Sequence, residues 1–144
     1  LMADKLSLEV VTPFRTVLNE DVDSVTLPGI EGELGILPEH VPLLTTLDTG
    51  IMSYVNGSGN TQAIAVHWGY AQVDGNNVRV LAELAETADE IDLPRAQEAE
   101  KKAKELLQSG DPTVSEWEDE ESRQKIYENK LSRSVVRQAV AKFQ

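Results

Sequence analysis

The first 86 residues alternate between apolar and polar positions with a period of two. The alternation is clearest at these apolar positions: Leu6, Leu8, Val10, Val25, Leu27, Val78, Val80 and Ala82. Such a period places one side of each strand in a core and the other side in solvent. Turn-forming residues separate the runs at Asn19-Glu20, at 56–60 and at 74–77. The pattern predicts short, half-buried antiparallel strands in a sandwich or barrel.

Near Thr87 the period changes to that of a helix. Asp92 is predicted as an N-cap, Pro94 suits the first helical turn, and the helix is expected to end near Gln108. Its apolar face is rich in alanine and comprises Leu93, Ala96, Ala99, Ala103, Leu106 and Leu107. An alanine face lets another helix approach closely but buries little area.

A second helix is predicted from Ser115, with Glu118 completing a capping box. Its apolar stripe comprises Tyr127, Leu131, Val135, Val136, Ala139 and Phe143. Two helices joined by a short turn form an αα-hairpin. The predicted fold is therefore α+β, with an antiparallel β-sandwich over 1–88 and a helical hairpin over 89–144.

The net charge of −12 is distributed unevenly along the chain. Residues 122–144 contain one acidic residue, Glu128, and six basic residues: Arg123, Lys125, Lys130, Arg133, Arg137 and Lys142. An acidic body disfavours nucleic acid and anionic lipid. A basic tail can fold onto that body, bind a phosphate ligand or contact an acidic partner.

Several kinds of site lack the residues that they need. The chain has no cysteine, and its only histidines, His40 and His67, lie far apart, so zinc and Ser-His-Asp sites are not expected. His67 and Trp68 are interpreted as packed aromatics rather than ligands. No apolar run reaches the roughly 18 residues of a spanning helix, so we expect a protein that is soluble or peripheral to a membrane.

One arc of the second helix carries four basic residues, Arg123, Lys130, Arg133 and Arg137. On the first helix Arg95 and Lys102 share a face beside the alanines. In a closed hairpin these basic rows would repel each other unless an anion lay between them, and a polyphosphate would suit that gap. A basic row on an exposed helix is nevertheless more often a solvated face.

Two motifs carry a resemblance to a known family. Residues 32–43 read Gly-Glu-Leu-Gly-Ile-Leu-Pro-Glu-His-Val-Pro-Leu, and residues 91–96 read Ile-Asp-Leu-Pro-Arg-Ala. Both stretches resemble epsilon subunits of F-type ATP synthases, and the likeness extends over most of the chain. The family usually has glycine before the histidine of the first motif, where this chain has Glu39. The turn at Glu39 must therefore tolerate a side chain.

The resemblance implies a regulatory ATP site in the folded hairpin. Adenine would lie near Glu86, Ile91, Asp92 and Ala96, with Arg95, Arg133 and Arg137 toward the ribose and phosphates. Lys102 stands where good ATP binders of the family have arginine, and lysine lacks the bidentate fork of arginine. Asp92 also has the simpler interpretation of a helix cap alone. No cofactor is expected to be required.

The resemblance also implies partners and a mechanism. Glu33 and His40 would contact the ring of membrane c subunits, although they also suit turn geometry alone. The chain would be a non-catalytic rotor subunit bound to gamma, peripheral at the cytoplasmic face of a bacterial inner membrane. An extended hairpin would place Arg123, Lys130, Arg133 and Arg137 on acidic surface of the alpha and beta subunits and inhibit ATP hydrolysis.

Two other classes of protein remain open at this stage. The chain could be a free-standing β-sandwich adaptor whose basic helix binds another acidic protein. A small acid–base enzyme would need paired carboxylates in a concave site, and the sequence shows only scattered ones.

Overall fold

Seven strands precede two helices in this computed structural model, which describes residues 5–109 and 120–143. The strands are β1 (Leu6–Val11), β2 (Thr16–Gly29), β3 (Gly32–Ile36), β4 (Leu43–Leu47), β5 (Gly50–Asn56), β6 (Thr61–Asp74) and β7 (Asn77–Thr87). A single 3₁₀ turn, Ala88–Glu90, leads to the helices α1 (Leu93–Ser109) and α2 (Glu120–Ala141). The predicted α+β class is confirmed.

The strands form a sandwich because the two longest ones each serve both layers. The first half of β2 pairs with β1, and its second half pairs with β3 and β5. In the same way β6 pairs first with β5 and then with β4. Strand β1 also pairs with β7, so β1, β2, β5, β6 and β7 close into a ring. The β1–β7 pair is parallel, and the other pairs in the described residues are antiparallel.

The core of the sandwich confirms the period-two analysis. All eight predicted positions are at most 3% exposed, and Leu47, Met52 and Ile64 are among the other buried residues of the interior. Burying a side chain of this size contributes about 1.5–3 kcal/mol. The sandwich therefore depends mainly on hydrophobic burial.

The predicted turn at Asn19-Glu20 is wrong, because both residues lie within β2. The chain reverses earlier, at 12–15, where the Thr12 hydroxyl accepts hydrogen bonds from the backbone N–H groups of Phe14 and Arg15, each at 3.2 Å. A side-chain oxygen at the first position of a turn satisfies backbone donors in this way. Asparagine alone is thus a weaker turn signal than Thr-Pro here.

Strand β6 has a local irregularity where it passes from β5 to β4. Trp68 adopts a φ of 59°, in the left-handed region that non-glycine residues seldom occupy. At the next residue, Gly69, an added Cβ would lie 2.1 Å from the carbonyl oxygen of Leu81. Only glycine permits this approach of β6 to β7. His67 is fully buried here, as expected of a packed aromatic, whereas Trp68 is 40% exposed.

Helix α1 begins as predicted. The backbone N–H of Arg95 donates to Oδ1 of Asp92 at 3.1 Å, and the N–H of Ala96 donates to the Asp92 carbonyl at 3.0 Å. Asp92 is therefore the N-cap. The helix ends at Ser109, one residue beyond the predicted end, and buries only Ala96 and Ala103 fully.

The predicted start of the second helix at Ser115, with its capping residue Glu118, lies outside the described residues. The apolar stripe predicted for α2 is partly wrong, because Val135, Ala139 and Phe143 are exposed. The fully buried side chains of α2 are Ser134 and Val140 instead. Val140 packs against Ala63 and Ala65 of the sandwich. Because α2 contacts both α1 and the sandwich, its buried face differs from the apolar stripe predicted from the sequence.

Candidate functional site

A cavity of about 460 Å³ lies where the end of β7, the start of α1 and helix α2 meet. Six of the eight residues predicted for an ATP site line it: Glu86, Ile91, Asp92, Arg95, Ala96 and Arg137. Leu84, Glu90 and Ala99 complete the lining. Residues 51 positions apart in sequence thus line one concave site.

The remaining two predicted residues, Lys102 and Arg133, do not line the cavity. Lys102 is exposed on α1, two turns beyond Arg95. Arg133 is half-buried one turn before Arg137, and within the described chain its Nε has no hydrogen-bond partner. Both cations flank the cavity along the helices without reaching its wall.

A set of hydrogen bonds fixes the connection between sandwich and hairpin. The Thr87 hydroxyl donates to Oε1 of Glu90 at 2.7 Å, and the Thr87 N–H donates to the same oxygen at 3.2 Å. Nη2 of Arg15 donates to Oε2 of Glu90 at 2.5 Å and to the Ala85 carbonyl at 3.3 Å. The turn at 12–15 thereby holds the wall of the cavity.

Glu86 links the sandwich to helix α2. Its Oε1 accepts a hydrogen bond from Nε of Arg137 at 2.6 Å and lies 3.3 Å from Nε2 of His67. The hydrogen bond from His67, followed by the interactions with Arg137, outweighs the opposing effect of burial and lowers the pKa of Glu86 to about 2. Glu86 is therefore ionised throughout the physiological range.

The charges around the cavity are mostly paired within the protein. Glu86 pairs with Arg137, Glu90 pairs with Arg15, and Asp92 caps α1. Within the described part of the chain Arg95 forms no ion pair. One free cation beside the apolar side chains of Ile91 and Ala96 can accept an anionic group joined to a flat apolar one. The described residues contain no cluster able to hold a metal ion.

The two residues predicted to meet the rotor ring lie on β3 and on the loop that follows it. Glu33 is exposed on β3, whereas His40 is half-buried and its Nδ1 lies 2.7 Å from the Val41 carbonyl. Glu39 has a φ of 66°, and its N–H donates to Oδ1 of Asn76 at 2.7 Å. The turn therefore does tolerate a side chain, and Asn76 fixes it to the β6–β7 turn.

The same loop presents apolar side chains that the sequence reasoning did not single out. Leu37 is 63% exposed and Val41 is 71% exposed, on either side of His40. The sequence could have indicated this apolar surface, because a loop that only faces solvent would rarely carry two large apolar residues, each followed by a proline.

The four basic residues predicted to form one face of α2 have different environments. Arg137 contacts Glu86, while Arg123 and Arg133 are half-buried. Lys130 is exposed, with its Nζ 5.7 Å from the centroid of the Tyr127 ring. In this conformation the hairpin does not present a continuous basic face.

A second cavity, of about 540 Å³, opens on the outer face of β4, β6 and β7 and is largely apolar. Tyr70 pairs with Thr46 on one side and with Leu81 on the other. Tyr70 is 58% exposed, Leu81 48% and the nearby Leu44 73%. Each of these three strands carries one bulky apolar residue at a position where the period of two predicts a solvent-facing side chain. This pattern could have indicated an apolar outer surface, and the sequence reasoning missed it.

Neither helix, over the residues that the structure describes, is long and apolar enough to cross a membrane.

Comparison with known proteins supports this architecture. Residues 5–88 match the family model described as the beta-sandwich domain of the ATP synthase delta/epsilon chain. The ATP synthase epsilon chain of Geotalea uraniireducens is 45% identical over 97% of this chain and 96% of its own. That of Carboxydothermus hydrogenoformans is 56% identical over 74% of this chain and 78% of its own.

Two solved structures share the fold. A chain in the Euglena gracilis mitochondrial ATP synthase, OSCP/F1/c-ring, aligns with a TM-score of 0.77 and 23% identity, covering 94% of this chain and 80% of its own. A chain in the central stalk/c-ring of Tetrahymena thermophila mitochondrial ATP synthase aligns with a TM-score of 0.58 and 14% identity, covering 98% and 99%. With relatives similar over nearly its full length and a matching sandwich domain, this chain belongs to the ATP synthase epsilon chain family.

Proposed function

We propose that this chain is a non-catalytic rotor subunit in the central stalk of an F-type ATP synthase, linking gamma to the c-ring and regulating ATP hydrolysis. The observation that carries the proposal is its 45% identity to an epsilon chain over 97% of its length. Its fold matches chains within solved F1/c-ring and central stalk/c-ring assemblies. The complex would hold it peripherally at the cytoplasmic face of a bacterial inner membrane.

The outer face of β4, β6 and β7 is the surface proposed to contact gamma. Tyr70 and Leu81 line the cavity of about 540 Å³ there, and Leu44 exposes a further bulky apolar side chain on β4. A contiguous apolar patch of this kind marks a protein interface in a soluble subunit. Gamma is the proposed occupant because the chain belongs to a family of stalk subunits.

The loop around His40 is the surface proposed to contact the c-ring. Glu33 supplies an exposed charge, while Leu37 and Val41 supply apolar contact area. The hydrogen bond from Glu39 to Asn76 keeps this loop in one conformation. A fixed loop loses little entropy on docking and is suited to carrying torque.

The hairpin is the proposed regulatory element. Its described residues fully bury only small side chains and Val140, so folded and extended forms can differ by a few kcal/mol. In the folded form Arg137 is held by Glu86. Extension would free Arg137, together with Arg123, Lys130 and Arg133, to contact acidic surface on the alpha and beta subunits and inhibit hydrolysis.

ATP is proposed as a ligand of the folded form. The cavity at the end of β7 offers Ile91 and Ala96 to a flat base and Arg95 to a phosphate. Lys102 and Arg133 flank it as further cations. Because ATP would bind one hairpin conformation only, its binding would shift the population toward that form.

The test is ATP hydrolysis by the reconstituted complex with the full-length chain and with a chain truncated after Glu90. Truncation keeps the sandwich and the Arg15–Glu90 pair but removes both helices, so we expect hydrolysis to rise by several-fold. Each chain must first co-purify with gamma and the catalytic subunits at fixed stoichiometry. Equal hydrolysis by the two complexes would rule out an inhibitory hairpin, and failure to co-purify would favour a free-standing adaptor.

The ligand is tested separately by hydrogen exchange of α2 amides in the isolated chain. With millimolar ATP we expect slower exchange, and a variant with Arg95→Ala should lose that effect. Unchanged exchange in the original chain would rule out ATP sensing and leave the stalk assignment intact.

A further inference from the structure

His67 is a buried polar side chain whose function the family assignment does not explain. It lies on β6 beside the irregularity at Trp68 and Gly69, with no exposed surface. Its Nε2 is 3.3 Å from Oε1 of Glu86 on β7. Burying an imidazole without satisfying its polar atoms is costly, so its contacts define what it can do.

The contacts of the two ring nitrogens indicate the form of the imidazole. Nδ1 is buried and has no hydrogen-bond partner in the described residues. In the neutral form with the proton on Nε2, the ring donates to Glu86 and leaves only an unpaired acceptor at Nδ1. With a proton on Nε2, His67 therefore donates to the Glu86 carboxylate.

The same oxygen of Glu86, Oε1, contacts His67 of the sandwich and Arg137 of the hairpin. His67 belongs to the sandwich, whereas Nε of Arg137 reaches Oε1 from α2 at 2.6 Å. The carboxylate side chain is 21% exposed and that of Arg137 is 28% exposed, so this contact is partly shielded from water. A charge-assisted hydrogen bond in such an environment is stronger than one on the surface.

We propose that His67 is a positioning residue that fixes the Glu86 carboxylate toward Arg137 and so holds the C-terminal hairpin on the sandwich without a ligand. For its regulatory meaning this inference rests on the proposed function. The folded hairpin would then have an internal carboxylate in contact with Arg137, where a nucleotide phosphate would otherwise compete. A bound nucleotide would have to share or displace that contact.

The position of Glu86 explains why a second donor is needed. A carboxylate with one arginine partner gains conformational entropy by leaving it. A second donor, held in a fixed position, restricts the side-chain conformations of Glu86 before α2 docks on the sandwich. The buried, rigid ring of His67 provides such a donor.

The experiment measures hairpin docking by energy transfer between dyes in the full-length chain. Because the chain has no cysteine, Ser58→Cys and Ser132→Cys give two specific labelling sites, one on the β5–β6 turn and one on α2. Without nucleotide we expect the His67→Ser chain to show a docked-to-undocked ratio lower by about tenfold. The His67→Gln chain, whose amide places a donor near Nε2, should restore most of the ratio.

A matched control separates positioning from simple loss of packing. Val66→Ala removes volume from the neighbouring fully buried position of β6 and leaves the contacts of Glu86 intact. It should lower the melting temperature of the sandwich without changing the docked ratio. If His67→Ser does not fold, His67→Asn replaces it, because the shorter amide does not reach Glu86. Docking that is equal in the Ser or Asn variant and the original chain would overturn the proposal.

Addition of ATP distinguishes this inference from the proposed function. If His67 holds the bridge, ATP should raise the lowered docked-to-undocked ratio of the His67→Ser chain, whereas the original chain docks without ATP. If ATP has no effect on any chain but His67→Ser still undocks, the bridge stands and ATP sensing fails. If the original and His67→Ser chains dock equally without ATP and ATP promotes docking in both, ATP sensing stands and the role of His67 fails.

Discussion

The sandwich and the hairpin are held together by different kinds of interaction. The sandwich buries large side chains such as Leu8, Leu47 and Met52 completely. The described part of the hairpin fully buries only alanines, Ser134 and Val140, and it adds polar contacts through Glu86 and Arg137. Hydrophobic burial is non-directional and hard to switch, whereas one charged contact is directional and easily replaced. The difference allows one unit to remain fixed while the other moves.

The largest effect should come from a large-to-small change in the sandwich. Leu8→Ala removes a fully buried side chain from the core and should lower the free energy of unfolding by about 2–5 kcal/mol. The measurement is chemical denaturation followed by circular dichroism, on the full chain and on the chain truncated after Glu90. The loss should be the same in both, since the hairpin adds little to this core. A loss confined to the full chain would show that the two units are one cooperative core.

Acidification should weaken the contacts of Glu86, which together contribute about 3 kcal/mol at most and of which the one with Arg137 holds the hairpin. The folded-state pKa of Glu86 is lowered from 4.5 to about 2, so its stabilising contribution is complete above pH 4.5 and is lost as the pH falls toward 2. We expect α2 amides to lose exchange protection in that window before β7 amides do.

Other carboxylates near the hairpin titrate in the same window, so a variant is needed. Burial raises the pKa of Glu90, but hydrogen bonds from Arg15 and Thr87 lower it overall, and hydrogen bonds from Lys104 and Gln138 lower that of Glu100. Glu86→Gln removes the titrating group that contacts Arg137. An acid response of α2 that is unchanged in this variant would assign the effect to Glu90 or Glu100 instead.

The smallest of the three effects should come from the helix cap. Asp92→Ala removes the acceptor of the Arg95 N–H and should cost about 1 kcal/mol within α1. Asp92→Asn is the matched control, since asparagine also caps helices and should preserve most of the stability. Hydrogen exchange in the first turn of α1 provides the measurement. Faster exchange throughout the sandwich would contradict the separation of the two units.

The sequence predicted the local features of both units better than the contacts between them. Periodicity located the buried positions from Leu6 to Ala82, and the Asp92 cap followed from its position before Leu93 and Pro94. The resemblance to the family predicted one site for six residues that line the same cavity in the structure. The domain boundary at 88–89 remains a prediction, as does ATP binding.

Features that depend on strand register escaped sequence reasoning. The contact of His67 with Glu86 requires β6 and β7 to pair with His67 opposite Leu84, and no local pattern indicates that register. The buried face of α2 was shifted for a similar reason, because Val140 follows the sandwich surface at Ala63 and Ala65 rather than α1 alone. The turn at 12–15 was missed because a threonine side chain, rather than asparagine or glycine, satisfies its backbone donors.

The parallel pairing of β1 with β7 determines when the protein can fold during synthesis. Leu8 pairs with Glu20 of the neighbouring β2 and with Val78 of β7, so the first strand gains its second partner only from the far end of the domain. Pairings of such long sequence separation make folding slow. The surface that receives α2 is built from β5, β6 and β7 and is completed in the same step. On the ribosome the emerging hairpin therefore has nothing to bind until the ring of strands has closed.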